Sequence, residues 1–182
     1  MPALETRDAV ELTNAYRSAI SNFSTGVAVI TTRTAAGPAG ATASAVASLS
    51  IDPLQLLVCL KTSSPTQRAI AEAGRFAVNV LGEGQERLAL QFATPRPDKF
   101  ADVVLRDGYE VPVLDAAIAH FVCEVSAALP GGDHTIMVGQ VIDCEHTVGA
   151  SPLVYFSRAF ANLCSTSKHA RHAYDLHLEL MM

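Results

Sequence analysis

Residues 134 to 146 read HTIMVGQVIDCEH. Ile136, Val138 and Ile142 fall on one side of an extended chain and Met137, Val141 and Asp143 on the other, which is the two-residue period of a β-strand. The neighbouring runs repeat the reading. IAHFVCEVSAAL (118–129) and PLVYFS (152–157) flank it, and GVAVITTRT (26–34), GATASAV (40–46), QLLVCLK (55–61) and RFAVNVL (75–81) precede it. They are short, β-prone and separated by turn formers such as AAGP (35–38) and IDP (51–53). Six or more strands spaced this closely favour a closed antiparallel barrel over a doubly wound parallel sheet.

Two stretches break the pattern. ETRDAVELTNAYRSAISN (5–22) places Val10, Ala15, Ala19 and Ile20 at helical spacing and predicts an amphipathic entrance helix. SSPTQRAIAEAG (63–74) predicts one helix behind a serine cap. The fold class is therefore mainly β with helical insertions. From Ser165 the composition changes and turn signals cease, so residues 165–182 are expected to form an extension on one domain spanning 1–164.

With 182 residues, 49% hydrophobic and 17% charged, the chain suits one sizeable core. Thirteen Lys and Arg against eighteen Asp and Glu leave a net charge of −5, and no basic stripe suggests nucleic acid as a partner. MPALETRDAVEL has no apolar run of a targeting peptide, and LLVCL is far below the roughly 20 residues of a membrane helix. The expectation is a cytoplasmic protein with no membrane partner and reduced cysteines, since Cys59, Cys123, Cys144 and Cys164 form no CxxC pair.

Several chemistries are absent. Gly82-Glu83-Gly84 has Arg87 where a dinucleotide fingerprint needs its third glycine, and it reads as a turn that opens no clear helix. No phosphate loop of the GKS or GKT type and no GxSxG elbow occurs. His169 with His172, and Cys144 with His146, each offer two ligands where a metal needs more, so no metal site is expected.

The run GATASAVASLS (40–50) carries no charge, no aromatic and nothing larger than leucine. Read as one strand, it places Thr42, Ser44, Val46, Ser48 and Ser50 on one face. Either this is an edge strand with hydroxyls toward water, or small side chains let a flat ligand approach the backbone.

The order and spacing of seven segments resemble the flavin reductase family of FMN-binding split barrels, over about residues 14–164. They are FSTGVAVITT (23–32), TASAVASLSIDP (42–53), LLVCLKTSSPT (56–66), RFAVNVL (75–81), LALQFATPRPDKF (88–100), GDHTIMVGQV (132–141) and PLVYFSRAFANLC (152–164). The nearest resemblance is to members that supply reduced FMN in aromatic polyketide biosynthesis. It implies a six-stranded, Greek-key-like barrel and a homodimer. It further implies reduction of FMN, or FAD, by NADH or NADPH, with reduced flavin released to a partner monooxygenase.

The same resemblance implies residue roles. Thr42, Ala43 and Ser44 would hold the isoalloxazine, with Ser48, Leu49 and Ser50 continuing the wall. Ser63, Ser64 and Thr66 would bind the phosphate and ribityl chain, Lys99 would add charge there, and Phe92 and Ala93 would pack nearby. His134 would stand beside the nicotinamide, with Tyr155, Phe156 and Arg158 completing that side. Two other readings stay open: a split barrel that keeps its flavin tightly and acts directly on an organic substrate, and a non-enzymatic flavin or haem binding module.

Overall fold

The computed structural model describes residues 8–163. Helix α1 (Ala9–Ile20) is followed by β1 (Thr25–Gly26), β2 (Ala28–Thr34), β3 (Gly37–Ala43), β4 (Val46–Ile51) and β5 (Leu54–Lys61). Then come α2 (Pro65–Ala73), β6 (Arg75–Val80), α3 (Glu86–Ala93), β7 (Ala119–Gly131), β8 (His134–His146), β9 (Val154–Phe156) and β10 (Ala159–Ala161). The chain from Ser165, with His169 and His172, lies outside the described residues.

Seven strands form one antiparallel sheet in the order β3-β2-β6-β7-β8-β5-β4, and β1-β9-β10 form a small second sheet. The edges of the large sheet, β3 and β4, are consecutive in the chain and only Ser44 and Ala45 lie between them. Three virtual bonds hold Ala43 and Val46 within about 11 Å, so the sheet must roll until its edges meet. The result is a barrel split along a seam at residues 43–46. Its wall has seven strands where six were expected.

Inside the barrel lie Ile30, Val58, Ile70, Phe76, Val78, Cys123 and Met137. The outward side of β2 is also covered, because Val27 and Val29 pack with Leu81, Phe92, Leu114 and Leu153 under α3 and the segment that follows it. Burial on both faces explains why this strand reads as an unbroken apolar run. The buried Asn79 amide donates to Val29 O and Thr31 Oγ1, each at 3.0 Å, and Asn79 Oδ1 accepts from Leu114 N at 2.8 Å. Gly139 of β8 gives Phe76 room, since a Cβ there would lie 2.5 Å from Phe76 Cζ.

α2 follows its expected signals: Ser64 at the N-cap, Pro65 in the first turn and Gly74 closing the helix at φ 69°. Two expectations need correction. A helix does open after Gly82-Glu83-Gly84, because Ala89 and Phe92 share a face that buries against β2 and β3. The entrance helix, expected over 5–22, spans Ala9–Ile20 and buries none of its residues, so the apolar Val10 and Ile20 stand exposed. Among the described residues no helix is long and apolar enough to cross a membrane.

Candidate active site

The seam separates two cavities. The first, of about 610 Å³, is lined by Pro38–Thr42 of β3, Lys61 at the end of β5, the Ser63–Thr66 turn, Phe92 and Ala93 of α3, and the loop carrying Arg96, Lys99 and Phe100. The second, of about 640 Å³, is lined by Arg17, Ile20, Ser21 and Phe23, by Ser44–Ala47, by Leu57 and Cys59, and by Tyr155 and Arg158. Thr42 lines one and Ser44 the other; on β5, Lys61 lines the first and Cys59, two residues away on the same face of the strand, lines the second. The cavities therefore adjoin along two strands.

The first cavity gathers Thr42, Ser63, Ser64, Thr66, Phe92, Ala93 and Lys99, seven of the expected residues. Ser64 is the N-cap of α2, yet its side chain caps no backbone N–H and stays available. Thr66 lines the cavity although it is only 4% exposed. The lining includes Lys61, Arg96 and Lys99 and no carboxylate. Free amides and the positive end of a helix dipole, with hydroxyls and cations around them, suit an anion. Gly40 lets the Phe92–Phe100 edge-to-face pair close against β3, since a Cβ there would lie 2.7 Å from the Phe92 ring.

Lys99 departs from its expected part. Its ammonium donates to Gly40 O at 3.1 Å and to Phe92 O at 2.8 Å, so it clasps β3 to α3, and burial lowers its pKa. Thr42 makes a similar tie, its hydroxyl donating to Ala89 O at 2.6 Å. Ala43 turns into the barrel interior, leaving only its backbone at the seam.

Ser48, Leu49 and Ser50 do not continue this wall. The strand ends at Ala43 and a new one starts at Val46 on the opposite edge of the sheet, and Ser48 and Ser50 line a separate groove with Phe121, Val141 and Cys144. A bulge between Ser48 and Ser50 leaves Leu49 48% exposed.

His134 opens β8 opposite Lys61, at the rim of the first cavity, and lines neither cavity. Its Nδ1–H donates to Asp133 Oδ1 at 2.7 Å, which holds the Asp133 carboxyl below the usual carboxylate range and leaves Nε2 free to face a ligand. Tyr155 and Arg158 line the second cavity, while Phe156 lines neither. Ser157 and Arg158 both hold positive φ, 50° and 64°, as a tight two-residue hairpin turn requires. Ser157 N–H donates to Ser21 O at 2.7 Å, which fixes the turn against the end of α1. The sequence reading missed Lys61, Arg96, Phe100 and Arg17, whose charge and ring signals are visible but whose convergence depends on long-range pairing.

Both cavities lie within the roughly 300–1,000 Å³ of small-molecule sites. The first suits a phosphate on a polar chain. The second, with apolar walls, Tyr155 and two arginines, suits planar rings bearing polar groups. Together they fit a flavin lying across the seam.

The flavin reductase like domain is matched over residues 20–163. The chain belongs to the flavin reductase-like family. This flavin reductase-like chain is 40% identical over 147 residues to the reductase component of a 4-nitrophenol 4-monooxygenase/4-nitrocatechol 2-monooxygenase from Rhodococcus opacus, covering 81% of this chain and 79% of that one. It is 42% identical over 151 residues to a flavin reductase (NADH) from Kitasatospora aureofaciens, covering 80% and 79%. Its fold superposes on a Streptomyces globisporus NADH:FAD oxidoreductase solved in complex with NAD and FAD fragments, with a TM-score of 0.81 and 30% identity over 92% of this chain and 99% of that one.

Proposed function

We propose that this chain is an NADH-dependent flavin reductase that reduces FMN and releases it to a partner monooxygenase of aromatic metabolism. The observation that carries the reading is the seam of small residues between an anion-binding cavity and an apolar one. When bound, the flavin accepts a hydride from the nicotinamide and carries two electrons onward. The protein contributes position and no covalent chemistry.

In this reading Ser63, Ser64, Thr66 and the N-terminus of α2 hold the phosphate, and Thr42, Ala43 and Ser44 present backbone and hydroxyl groups to the ring edge. Tyr155 and Arg158 hold the nicotinamide coenzyme on the other side, and His134 orients it from the rim through the ring nitrogen left free by Asp133. A product that must diffuse away is expected to bind near micromolar, about 8 kcal/mol.

A homodimer is part of the proposal. α1 buries none of its residues within the chain, and Leu49, Ile51 and Leu54 stand exposed on the β4–β5 hairpin, so apolar surface remains for a second copy. A cytoplasmic location, where NADH is supplied, belongs to the same reading, as does a single domain through residue 164.

Purified protein mixed with NADH and excess FMN tests the function. Multiple turnovers of free FMN support it. Flavin retained through gel filtration would favour a prosthetic group acting on an organic substrate, and binding without NADH oxidation would favour a non-enzymatic module.

A further inference from the structure

We propose that Asp98 competes with the flavin phosphate for the Arg96 guanidinium, giving the first cavity a built-in restraint on flavin affinity. The inference rests on the reading of that cavity as the phosphate end of the flavin site.

Three cations line the cavity, and they differ in what their donors already do. Lys99 is committed to the Gly40 and Phe92 carbonyls. Lys61 sits exposed at the end of β5. Arg96 is held by a two-pronged pair, Nε to Asp98 Oδ1 at 2.7 Å and Nη2 to Asp98 Oδ2 at 2.5 Å. That edge of the guanidinium is the fork that recognises a phosphate in the same side-by-side geometry.

The pair is open to exchange. The two side chains are 39% and 54% exposed, and ion pairs in contact with water contribute little net stability. A phosphate dianion offers a stronger charge and more acceptor oxygens than a carboxylate. Pro95 and Pro97 restrict the backbone on either side of Arg96. Gln91 Nε2 donates to Lys99 O at 2.8 Å and to Ala101 O at 3.0 Å, pinning the loop downstream. With the backbone held, the exchange is confined to side chains.

Asp98 thereby acts on the phosphate in two ways: it occupies the donor fork, and its charge opposes an arriving anion. The anion already has the Ser63–Thr66 turn for anchorage, so Arg96 tunes affinity without defining the site. Restrained affinity serves a protein whose flavin leaves as product.

The test uses the full chain with FMN and with riboflavin, which lacks the phosphate, and reads Kd from quenching of flavin fluorescence. Asp98→Asn should tighten FMN binding about two- to five-fold, the scale of an exposed pair, and leave riboflavin affinity unchanged. Arg96→Gln should weaken FMN binding by a similar factor, and adding Asp98→Asn to it should produce no tightening. An Asp98→Asn variant that binds FMN equally or more weakly, or that shifts riboflavin equally, overturns the proposal. If wild-type protein binds FMN no better than riboflavin, the reading of the cavity as a phosphate site falls as well. If FMN is preferred but the variants are silent, the competition alone is refuted.

Discussion

Lys99 reaches Phe92 through a hydrogen bond of 2.8 Å from its ammonium to the backbone carbonyl, at the place where α3 ends and the loop over the first cavity begins. A second bond to Gly40 O at 3.1 Å makes this lysine a clasp between α3 and β3. Hydrogen bonds from a charged donor are worth about 1.5–3 kcal/mol each before exposure is discounted. Lys99→Met should therefore lower unfolding stability by about 1–3 kcal/mol in a urea titration. A lysine serving only as a phosphate contact would leave the urea midpoint unchanged.

Ser44 stands exposed at the seam, facing the second cavity. Ser44→Leu should fold normally, because no core contact is disturbed, yet weaken FMN binding at least about ten-fold, equivalent to about 1.4 kcal/mol. Ser48→Leu is the control. It enters the groove with Phe121 and Val141, so FMN affinity should stay as in the wild type. Equal effects in the two variants would mean that the seam does not define the flavin site.

His134 is fixed by Asp133 at the cavity rim and is not among the residues that line the first cavity. His134→Ala should raise KM for NADH several-fold while the Kd for FMN changes little, and steady-state kinetics beside a flavin titration separate the two. Parallel losses in both constants would place the histidine in the flavin site itself.

Burial pushes the Cys123 thiol from 9.0 up to about 12. The folded protein thus keeps a proton that the unfolded chain gives up near pH 9. The stability this contributes is complete below about pH 9 and declines as pH rises toward about 12, because the unfolded state gains the ionised form first. Urea midpoints measured from about pH 8 to pH 11 should fall more steeply in the wild type than in Cys123→Ala, even though the variant starts lower from its lost packing. Parallel slopes would show that this thiol does not ionise differentially.

Much of the fold is legible before any coordinates. The strands around residues 134–146 announce themselves by alternation, and α2 is bounded by Ser64, Pro65 and Gly74, which act through local backbone chemistry. The seam is not legible in this way. GATASAVASLS alternates as well in one strand as in two, and its division between opposite edges follows from pairing of β3 with β2 and of β4 with β5. The pattern alone therefore groups Ser48 and Ser50 with Thr42. The part played by Lys99 was hidden for a related reason: its acceptors are carbonyls, which every residue carries, so no side-chain pattern marks them. α3 did leave a signal in the spacing of Ala89 and Phe92, masked by a glycine pair that drew attention to a turn.

The link Ser44–Ala45 works as a ruler. Walls on either side of the groove are successive pieces of one chain, so the width available to a guest is set by a count of peptide units. One residue added there would let the rolled sheet gape, and one removed would drag its rims into collision. Changes of length are therefore barred at the seam, where variation must proceed by exchanging side chains.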